Sequence, residues 1–358
     1  MCSSDLSRNM KFNRSSSQYS KNKHLFRLAM RIPLMLARSI LDSDFVKKLK
    51  YRYLYNGLIS HKANVINDGS STIQMGARTS IGSYTDVVLQ DNTTLIMESD
   101  TSVGRYCEIG GQGAKIVIGS GTSIQDRCTV VGAISIGKNC IFSKNVMMSS
   151  GKHHFENIPY LTQRDQDALQ ESEKVFEEKI TIEDDCFIGV GVHIKHGITL
   201  AKGTIVGANS VVSRNFPPYS VIGGVPARLI KKRLEYAPPK EITVFREETY
   251  PYFYAGMNMQ RKYVAHDIQK YGGVLVESAF TLDLDITGAD KVILTTKKIC
   301  TQPISVSFGE SLVELSAVMT DYEFPLKGQS ETKLIWKINN PNDDLNENVV
   351  SLQSAKAI

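Results

Sequence analysis

The sequence has no uninterrupted apolar run that approaches the roughly 20 residues needed by a membrane-spanning helix. In its most apolar N-terminal stretch, LFRLAMRIPLMLARSIL, the hydrophobic residues are interrupted by Arg27, Arg31 and Arg38. A compact cationic start with a small-residue cleavage site is also lacking, so a secretory signal peptide is not predicted. These absences favour a cytoplasmic protein.

Acidic residues are scarce near the N-terminus. Residues 1–52 contain twelve Lys and Arg against Asp5, Asp42 and Asp44, a charge of +9 in a chain whose net charge is +5. We predict a disordered basic tail over 1–23 and a basic helical segment over 24–72. Such an amphipathic helix either docks on its own protein or lies peripherally on an anionic membrane surface, and the sequence allows both.

Disulfides and cysteine-based metal sites are not predicted. Four of the six cysteines lie four residues after a residue of the repeat described below: Cys107, Cys128, Cys140 and Cys186. The same slot elsewhere holds Thr122, Val146, Thr204 and Ser210. Cysteine therefore serves there as a small side chain that fits, and free thiols are typical of a reducing compartment.

What the sequence does contain is an aliphatic or aromatic residue at every sixth position. One series is Ile118, Ile124, Val130, Ile136, Phe142 and Met148, and the other is Ile182, Ile188, Ile194, Leu200, Val206 and Val212. Six residues make a short strand and a corner, and three such units close a triangular coil of about eighteen residues with the repeat residues inside. Rougher units of the same coil are Ile81-Gly82, Val103-Gly104 and Ile109-Gly110, with GGQG (110–113) as a small bulge or loop.

The corners have their own signature three residues after each repeat residue. The slot holds Gly121, Asn139, Asn145, Asp185, Gly191, Gly197, Gly203, Asn209 and Asn215, with Arg127 and Ala133 as departures. Gly, Asn and Asp tolerate the left-handed backbone that a sharp corner needs. The pattern predicts a mainly β chain built on a parallel β-helix.

This repeat resembles that of the hexapeptide-repeat acyltransferases, a left-handed parallel β-helix family that transfers acyl groups from coenzyme A. The likeness spans about 73–234 and is strongest in ITIEDDCFIGVGVHIKHGITLAKGTIVGANSVVSRNFPPYSVIGGVPARLIKK (180–232). Within the family the chain is most similar to O-acetyltransferases of bacterial surface polysaccharides. The resemblance implies a β-helix domain over 73–235, a homotrimer, acetyl-CoA as acyl donor, no required metal and no nucleic-acid partner.

The repeat breaks at MSSGKHHF (148–155), and a loop over 149–179 follows. In the family a histidine at the root of such a loop is the general base, and relatives often read Ser-Ser-Asp-Gly-His here. The resemblance therefore favours His153, with His154 as the alternative. The imidazole would take a proton from an acceptor hydroxyl, which attacks the acetyl thioester and releases the thiol without a covalent acyl-enzyme. Gly151 and Lys152 replace the usual Asp-Gly, so an orienting acidic group is missing locally or comes from elsewhere.

The resemblance also implies a coenzyme A site along the last coils, where small residues let pantetheine approach the backbone: Gly189, Gly197, Ala208 and Ser210. The segment GGVPARLIKK is expected to turn into a helix, with Pro226 and Ala227 in its first turn. Arg228, Lys231 and Lys232 would then meet the phosphates.

Two further histidines, His193 and His196, lie within VHIKHG. We expect them to be surface or subunit-facing residues. The alternative is a zinc site that joins them to His153 and His154.

Beyond YAPPK (236–240) the repeat disappears, and alternating strand patterns predict a β-sandwich-like domain over 241–358. Its aromatic residues are candidates for stacking on a glycan, with core packing as the alternative: Tyr250, Tyr252, Tyr254 and Trp336.

The function favoured by this reading is acetyl-CoA-dependent O-acetylation of a sugar hydroxyl in a bacterial capsule or O-antigen polysaccharide or its precursor. The alternatives are N-acetylation of an amino-sugar nucleotide and an inactive trimeric scaffold that binds glycan. A polyanionic carbohydrate acceptor would account for the basic N-terminal segment.

Overall fold

The structure, a computed structural model, describes residues 58–151, 153, 158, 160–170, 178–339 and 350–358. The predicted tail over 1–23, the predicted helical segment as far as residue 57, and His154 lie outside the described residues. The chain divides into two compact units, Met1–Leu234 and Glu235–Ile358. Neither α-helix of the described chain could cross a bilayer, since the two contain 8 and 11 residues.

The first unit consists of short strands interrupted by one loop. Before the loop they are β1 (Leu58–Ile59), β2 (Asn64–Asn67), β3 (Thr72–Met75), β4 (Ser80–Ile81), β5 (Asp86–Gln90), β6 (Thr94–Met97), β7 (Ser102–Val103), β8 (Glu108–Gln112), β9 (Lys115–Ile118), β10 (Ser123–Ile124), β11 (Thr129–Val131), β12 (Ile134–Ile136), β13 (Ile141–Phe142) and β14 (Met147–Ser149). The loop carries α1 (Gln163–Gln170). After it follow β15 (Ile180–Ile182), β16 (Phe187–Ile188), β17 (His193–Ile194), β18 (Thr199–Leu200), β19 (Ile205–Val206), β20 (Val211–Val212), β21 (Ser220–Gly224) and β22 (Ala227–Lys232).

Successive strands go to three different sheets, so the chain winds as stacked coils. The first sheet has the order β1-β4-β7-β10-β13-β16-β19-β21-β22, the second β2-β5-β8-β11-β14-β17-β20, and the third β18-β15-β12-β9-β6-β3. All pairs are parallel except the closing hairpin of β21 and β22. This arrangement confirms the predicted parallel β-helix and is consistent with its left-handed form.

The repeat residues of both series point into the coil and are at most 2% exposed. In the upper coils, stacked residues such as Thr122 and Cys140 are 18 positions apart, as the six-residue repeat predicts. In the lower coils the separation is 21 or 22 residues, so those coils are wider.

The wider coils explain two wrong predictions. Residues 58–72, predicted as helical, contain β1 and β2 and the first residue of β3, because longer sides hide the six-residue spacing there. GGQG, predicted as a bulge or loop, instead continues β8 as far as Gln112. Only Gly113 turns, with φ of 60°.

Most predicted corner residues have the left-handed backbone. Their φ angles lie between 56° and 72° at Gly121, Asn139, Asn145, Asp185, Gly191, Gly197, Gly203 and Asn209. Arg127, which departs from the sequence pattern, turns in the same way with φ of 59°. Stacking therefore imposes this conformation even on a residue that favours it less.

The cysteines in the small-residue slot do more than fill space. Thr122 Oγ1 accepts the amide hydrogen of Cys140 (3.0 Å) and donates to the carbonyl oxygen of Gly137 (2.8 Å). The Cys140 thiol in turn donates to the carbonyl oxygen of Glu183 on the next coil (3.1 Å). Cysteine thus replaces threonine in a buried column of hydrogen bonds that joins successive coils.

The second unit is one antiparallel sheet of nine strands with two short helices. Its elements are β23 (Glu241–Thr243), a 3₁₀ helix (Glu247–Tyr252), β24 (Phe253–Met257), α2 (Arg261–Tyr271), β25 (Val274–Asp283), β26 (Lys291–Lys298), β27 (Ser305–Phe308), β28 (Ser311–Glu314), β29 (Thr320–Pro325), β30 (Lys333–Asn339) and β31 (Val350–Ala357). The long strand β25 pairs with β24, β30 and β31, so it is the centre of the sheet.

The four candidate glycan-stacking aromatics of this unit favour the core alternative. Trp336 is 0% exposed, and its ring centroid lies 4.9 Å from that of Phe308. Tyr252 and Tyr254 are at most 8% exposed, and the hydroxyl of Tyr250 donates to the carbonyl oxygen of Val244 (3.1 Å). The rings of Tyr252, Tyr254 and Trp336 therefore have little accessible surface for a sugar, and Tyr250 is half-buried.

The column of hydrogen bonds gives a stability prediction at Thr122. Thr122→Val should lower the free energy of unfolding by about 1–3 kcal/mol, because it leaves two buried backbone groups unpaired at unchanged volume. Thr122→Cys should cost clearly less, since cysteine has this role elsewhere in the coil. Urea unfolding of both variants measures the difference, and equal midpoints for valine and cysteine would contradict the account.

Candidate active site

The loop leaves the β-helix at the end of β14, at the corner that follows the second sheet. Ser150 anchors this exit, because its amide donates to the Val131 carbonyl oxygen (3.0 Å) and its Oγ accepts the Ala133 amide hydrogen (2.8 Å). Its side chain is buried. The exit of the loop is therefore fixed to the coil below.

Helix α1 within the loop is stabilised at its N-terminus by local hydrogen bonds. Thr162 Oγ1 accepts the amide hydrogen of Asp165 (3.2 Å) and donates to its carboxylate (2.6 Å), an N-terminal cap. Gln166, only 3% exposed, accepts from the Ile158 amide and donates to the Leu161 carbonyl oxygen. These bonds fix the start of α1 relative to the preceding residues.

Asp167 on α1 is the partner of His153. The distance from His153 Nδ1 to Asp167 Oδ2 is 2.7 Å. The His153 side chain is 83% exposed, whereas that of Asp167 is 27% exposed. A carboxylate on Nδ1 favours the tautomer that leaves Nε2 as a proton acceptor.

Sequence reasoning missed Asp167. It anticipated an orienting acidic group from elsewhere but did not identify it. The capping pattern from Thr162 to Asp165 indicates a short helix, and could have placed Asp167 on it. The direction of its carboxylate depends on how the loop folds back, which no local pattern reveals.

A second imidazole–carboxylate pair lies where the loop returns. His196 Nδ1 forms a short hydrogen bond with Glu178 Oε2, and the Gly197 amide donates to the Glu178 carbonyl oxygen (3.0 Å). A Cβ on Gly197 would lie 3.2 Å from that carboxylate, and φ is 72°. Glycine at this position is thus explained by the returning loop.

The strand register places the exit and the return of the loop at the same corner. Met148 pairs with Ile194, and Ile194 with Val212, so by continuation Ser150, His196 and Arg214 stack on successive coils. His196 therefore lies one coil above the exit of the loop, which leads to His153 three residues later. His193, opposite Met147 in the same sheet, is half-buried and directly precedes the inward Ile194.

The small residues assigned to pantetheine have different environments. A Cβ on the buried Gly189 would lie 2.7 Å from the amide nitrogen of Ala208, so coil stacking already requires glycine there. Ala208 is exposed on the next coil. Ser210 is 1% exposed; its Oγ donates to the Gly207 carbonyl oxygen (2.6 Å) and accepts the Gly224 amide hydrogen (3.1 Å). Ser210 thus links the closing hairpin to the last full coil by hydrogen bonds.

The predicted helix after GGVPAR is wrong: Ala227–Lys232 form β22, antiparallel to β21. The Val225–Pro226 peptide bond is cis, Pro226 is exposed and Ala227 is 1% exposed. The backbone amides of this segment pair with β21, and the prediction of a helix did not take this pairing into account.

The hairpin also changes how the three basic residues are grouped. Arg228 pairs with Gly223 and Lys231 with Val221, across a register shift between Val221 and Ile222. Lys232 instead pairs with the buried Ser220. Because directly paired residues project from the same face of a sheet, Arg228 and Lys231 share a face that Lys232 does not.

Comparison with known proteins supports the fold assignment. Residues 179–214 match the family "Bacterial transferase hexapeptide (six repeats)". The chain is 30% identical over 124 residues to galactoside O-acetyltransferase of Escherichia coli (strain K12), covering 34% of this chain and 55% of that protein. It is 26% identical over 113 residues to chloramphenicol acetyltransferase of Klebsiella aerogenes, covering 30% and 52%.

Among solved structures, the polysialic acid O-acetyltransferase OatWY is similar, with 19% identity, coverage of 51% of this chain and 89% of that chain, and a TM-score of 0.36. This chain spans about half the length of the two curated relatives above. The predicted resemblance to the hexapeptide-repeat acyltransferases is confirmed.

The role of Ser210 can be tested directly. Ser210→Ala should lower the free energy of unfolding by about 1–2 kcal/mol and accelerate hydrogen exchange at the Gly224 amide, because that amide loses its acceptor. Ser210→Cys should restore much of the protection. Ser213→Ala is the control, because Ser213 is exposed and directly follows β20. Unchanged exchange at Gly224 in Ser210→Ala would refute the role.

Proposed function

We propose that this protein, whose β-helix carries the hexapeptide repeat of bacterial transferases, is an acetyl-CoA-dependent O-acetyltransferase that acts on a sugar hydroxyl. The observation that carries the proposal is the His153–Asp167 pair at the root of the loop. An exposed imidazole held by a carboxylate has the composition of a general base. The acceptor would belong to a bacterial surface polysaccharide or its precursor.

In this proposal His153 acts through Nε2. It takes the proton of the acceptor hydroxyl while the oxygen attacks the acetyl carbonyl, and the coenzyme A thiolate leaves with the electron pair of the C–S bond. Asp167 holds the proton on Nδ1 and stabilises the imidazolium that forms. His154, the alternative base, lies outside the described residues.

Acetyl-CoA is the proposed donor substrate, and no metal takes part. Its pantetheine would run past Gly189, Gly197 and Ala208 on the upper coils. The exposed side chains of Arg228 and Lys231, on one face of the hairpin, would meet its phosphates. Lys232 is a weaker candidate, because it projects from the other face.

The active assembly in this proposal is a homotrimer in the cytoplasm. Ile141 and Phe187 are paired on the outer surface of the first sheet, and they are 47% and 41% exposed. Lower in the same column this position holds Ser80, Ser102 and Ser123. Leu58, at the lower end of the column, is also exposed, but the three serines separate it from Ile141 and Phe187. The adjacent apolar pair on the upper coils supports an interface with a second copy there.

Activity measurements on matched variants test the chemistry. His153→Ala should reduce acceptor-dependent thiol release from acetyl-CoA by about 10²–10⁴-fold, since general base catalysis contributes that much. Asp167→Asn should reduce kcat by about tenfold or more without changing the affinity for acetyl-CoA, because only the orientation of the imidazole is lost.

Asp165→Asn on the same helix is the matched control, since its side chain contacts Thr162 and not His153. It should keep wild-type kcat. Equal losses in Asp165→Asn and Asp167→Asn would mean that the loop, and not the pair, had been disturbed. Acetyl transfer to an amino-sugar nucleotide, with no transfer to any glycan hydroxyl, would favour N-acetylation instead.

The proposed interface predicts a change of assembly. Phe187→Glu should convert a trimer into smaller species in sedimentation velocity, because it puts a charge into a buried apolar contact. Ser102→Glu, on the same column but lower in the coil, should leave the trimer intact. A wild-type protein that sediments as a monomer, or a Phe187→Glu variant that stays trimeric, would refute this interface.

A further inference from the structure

The corner between the third and first sheets carries lysine side chains that are shielded from solvent. We call it the third corner, and it consists of residues 76–79, 98–101, 119–122, 137–140, 183–186 and 201–204. In a single copy of the chain, Lys138 is 9% exposed and Lys202 is 7% exposed. Side chains at a convex corner point away from the coil, so stacking borders them above and below but leaves the outward side open. Shielded lysines are therefore unexpected there.

A lysine in the same slot of a neighbouring corner shows the contrast. Lys138 lies two residues after the inward Ile136, and Lys144 lies two residues after the inward Phe142 on the same coil. Both have a coil above and a coil below, yet Lys144 is exposed. Stacking alone therefore does not shield a lysine in this slot. Because Lys138 is shielded in a single copy, its cover belongs to the same chain.

The residues after β22 account for shielding at the upper end of the third corner. Arg233 Nη1 donates to Asp185 Oδ2 (2.9 Å) and to the Gly203 carbonyl oxygen (3.3 Å), and the ring of Tyr219 occupies the space that a Cβ on Gly203 would need. Lys138 lies on the coil below, where its carbonyl oxygen accepts the Asp185 amide hydrogen (2.9 Å). The cover of Lys138 thus has another source.

The third corner is acidic, which indicates the charge of its cover. From residue 98 to residue 204 it contains two lysines and five carboxylates, a charge of −3, the latter being Glu98, Asp100, Glu183, Asp184 and Asp185. Three of these carboxylates are held in place by backbone amides of an adjacent coil. Glu98 accepts from the Ser120 amide (2.9 Å), Asp184 from that of Lys138 (2.7 Å) and Glu183 from that of Lys202 (2.8 Å). A basic segment suits such a corner.

Residues 24–57, which lie outside the described residues, fit the third corner in position, length and charge. The amide of Leu58, the first residue of β1, donates to the carbonyl oxygen of Thr79 (2.8 Å), so the chain before β1 arrives from this corner. Lys138 lies three coils above Thr79, about 14 Å. Even with the rise of an α-helix, the segment would span about 51 Å. It contains seven Lys and Arg against Asp42 and Asp44, a charge of +5.

We propose that residues 24–57 dock along the third corner, where their basic side chains meet its carboxylates and shield Lys138. The positive charge of the segment then has a partner within its own protein, which is neither a membrane surface nor an acidic glycan. The inference does not depend on the proposed activity, because the third corner is not the corner at which the loop leaves and returns.

Modification of lysines with acetic anhydride, followed by mass spectrometry, tests the docking in the full chain. In the wild type, Lys138 should react more slowly than Lys144. The wild type is compared with a triple variant in which basic residues of the segment are reversed, Arg27→Glu/Arg31→Glu/Arg38→Glu. Its Lys138 should react about tenfold faster than that of the wild type, the effect of losing three exposed ion pairs.

The matched control is Lys11→Glu/Lys21→Glu/Lys23→Glu, which changes the charge equally but lies before the docking segment. It should leave the reaction rate of Lys138 as in the wild type. A benzophenone amino acid at Ser120 identifies the cover directly, because Ser120 stacks one coil below Lys138 in the third corner. Its cross-links should fall within residues 24–57 of the same chain.

Three results would overturn the inference. One is a wild-type protein in which Lys138 reacts as fast as Lys144. Another is a rate at Lys138 that is the same in the two triple variants. The third is a benzophenone that captures a second chain, since a second copy would then cover the corner.

Discussion

The stacking of each residue directly above its counterpart in the coil below is the constraint on which the first unit depends. Every strand inside the three sheets satisfies its backbone groups by pairing with the coils above and below, so the register cannot slip without breaking all three sheets at once. Side chains follow the same register. The column from Thr122 through Cys140 to the carbonyl oxygen of Glu183 exists because stacking aligns one polar atom with the next.

Stacking also governs charge in the buried corner. Lys138, Asp184 and Lys202 follow one another on successive coils, and Asp184 Oδ1 accepts the amide hydrogen of Lys138 (2.7 Å). Burial lowers the pKa of Lys138 and raises the pKa of Asp184, and each opposite charge offsets part of this effect. Alternating signs are therefore what makes a column of buried charges tolerable.

The candidate site depends on this register, because the loop leaves the β-helix and returns to it at fixed positions. Paired residues change from 18 to 46 positions apart across the insertion, yet the coils on both sides remain in register. The exit at Ser150 and the return at Glu178 are consequently held at one corner. Side chains of the loop that face this corner are therefore held in fixed positions relative to the β-helix.

The sequence predicted the periodic parts of the fold, and prediction failed where the structure is not periodic. Inward residues and left-handed corners follow from the spacing alone. The wider lower coils hid β1 and β2, because their sides are longer than six residues. The partner of His153 was not predictable, since Asp167 reaches it only through the folded loop. At GGVPAR, a proline before a basic run suggested a helix, but the open edge of β21 offered pairing partners that local propensity does not include.

The two units differ in which functional groups they expose to solvent. This difference bears on where a ligand could bind. In the second unit the four candidate aromatics make core contacts or hydrogen bonds, and Trp336 is enclosed between Phe280 and Phe308. Exposing such a ring would cost the packing of the core, at about 3–5 kcal/mol for a large aromatic. On the β-helix, by contrast, the groups beside the loop are already exposed and charged. A ligand could reach the groups beside the loop without a rearrangement of the fold, whereas it could not reach those buried rings.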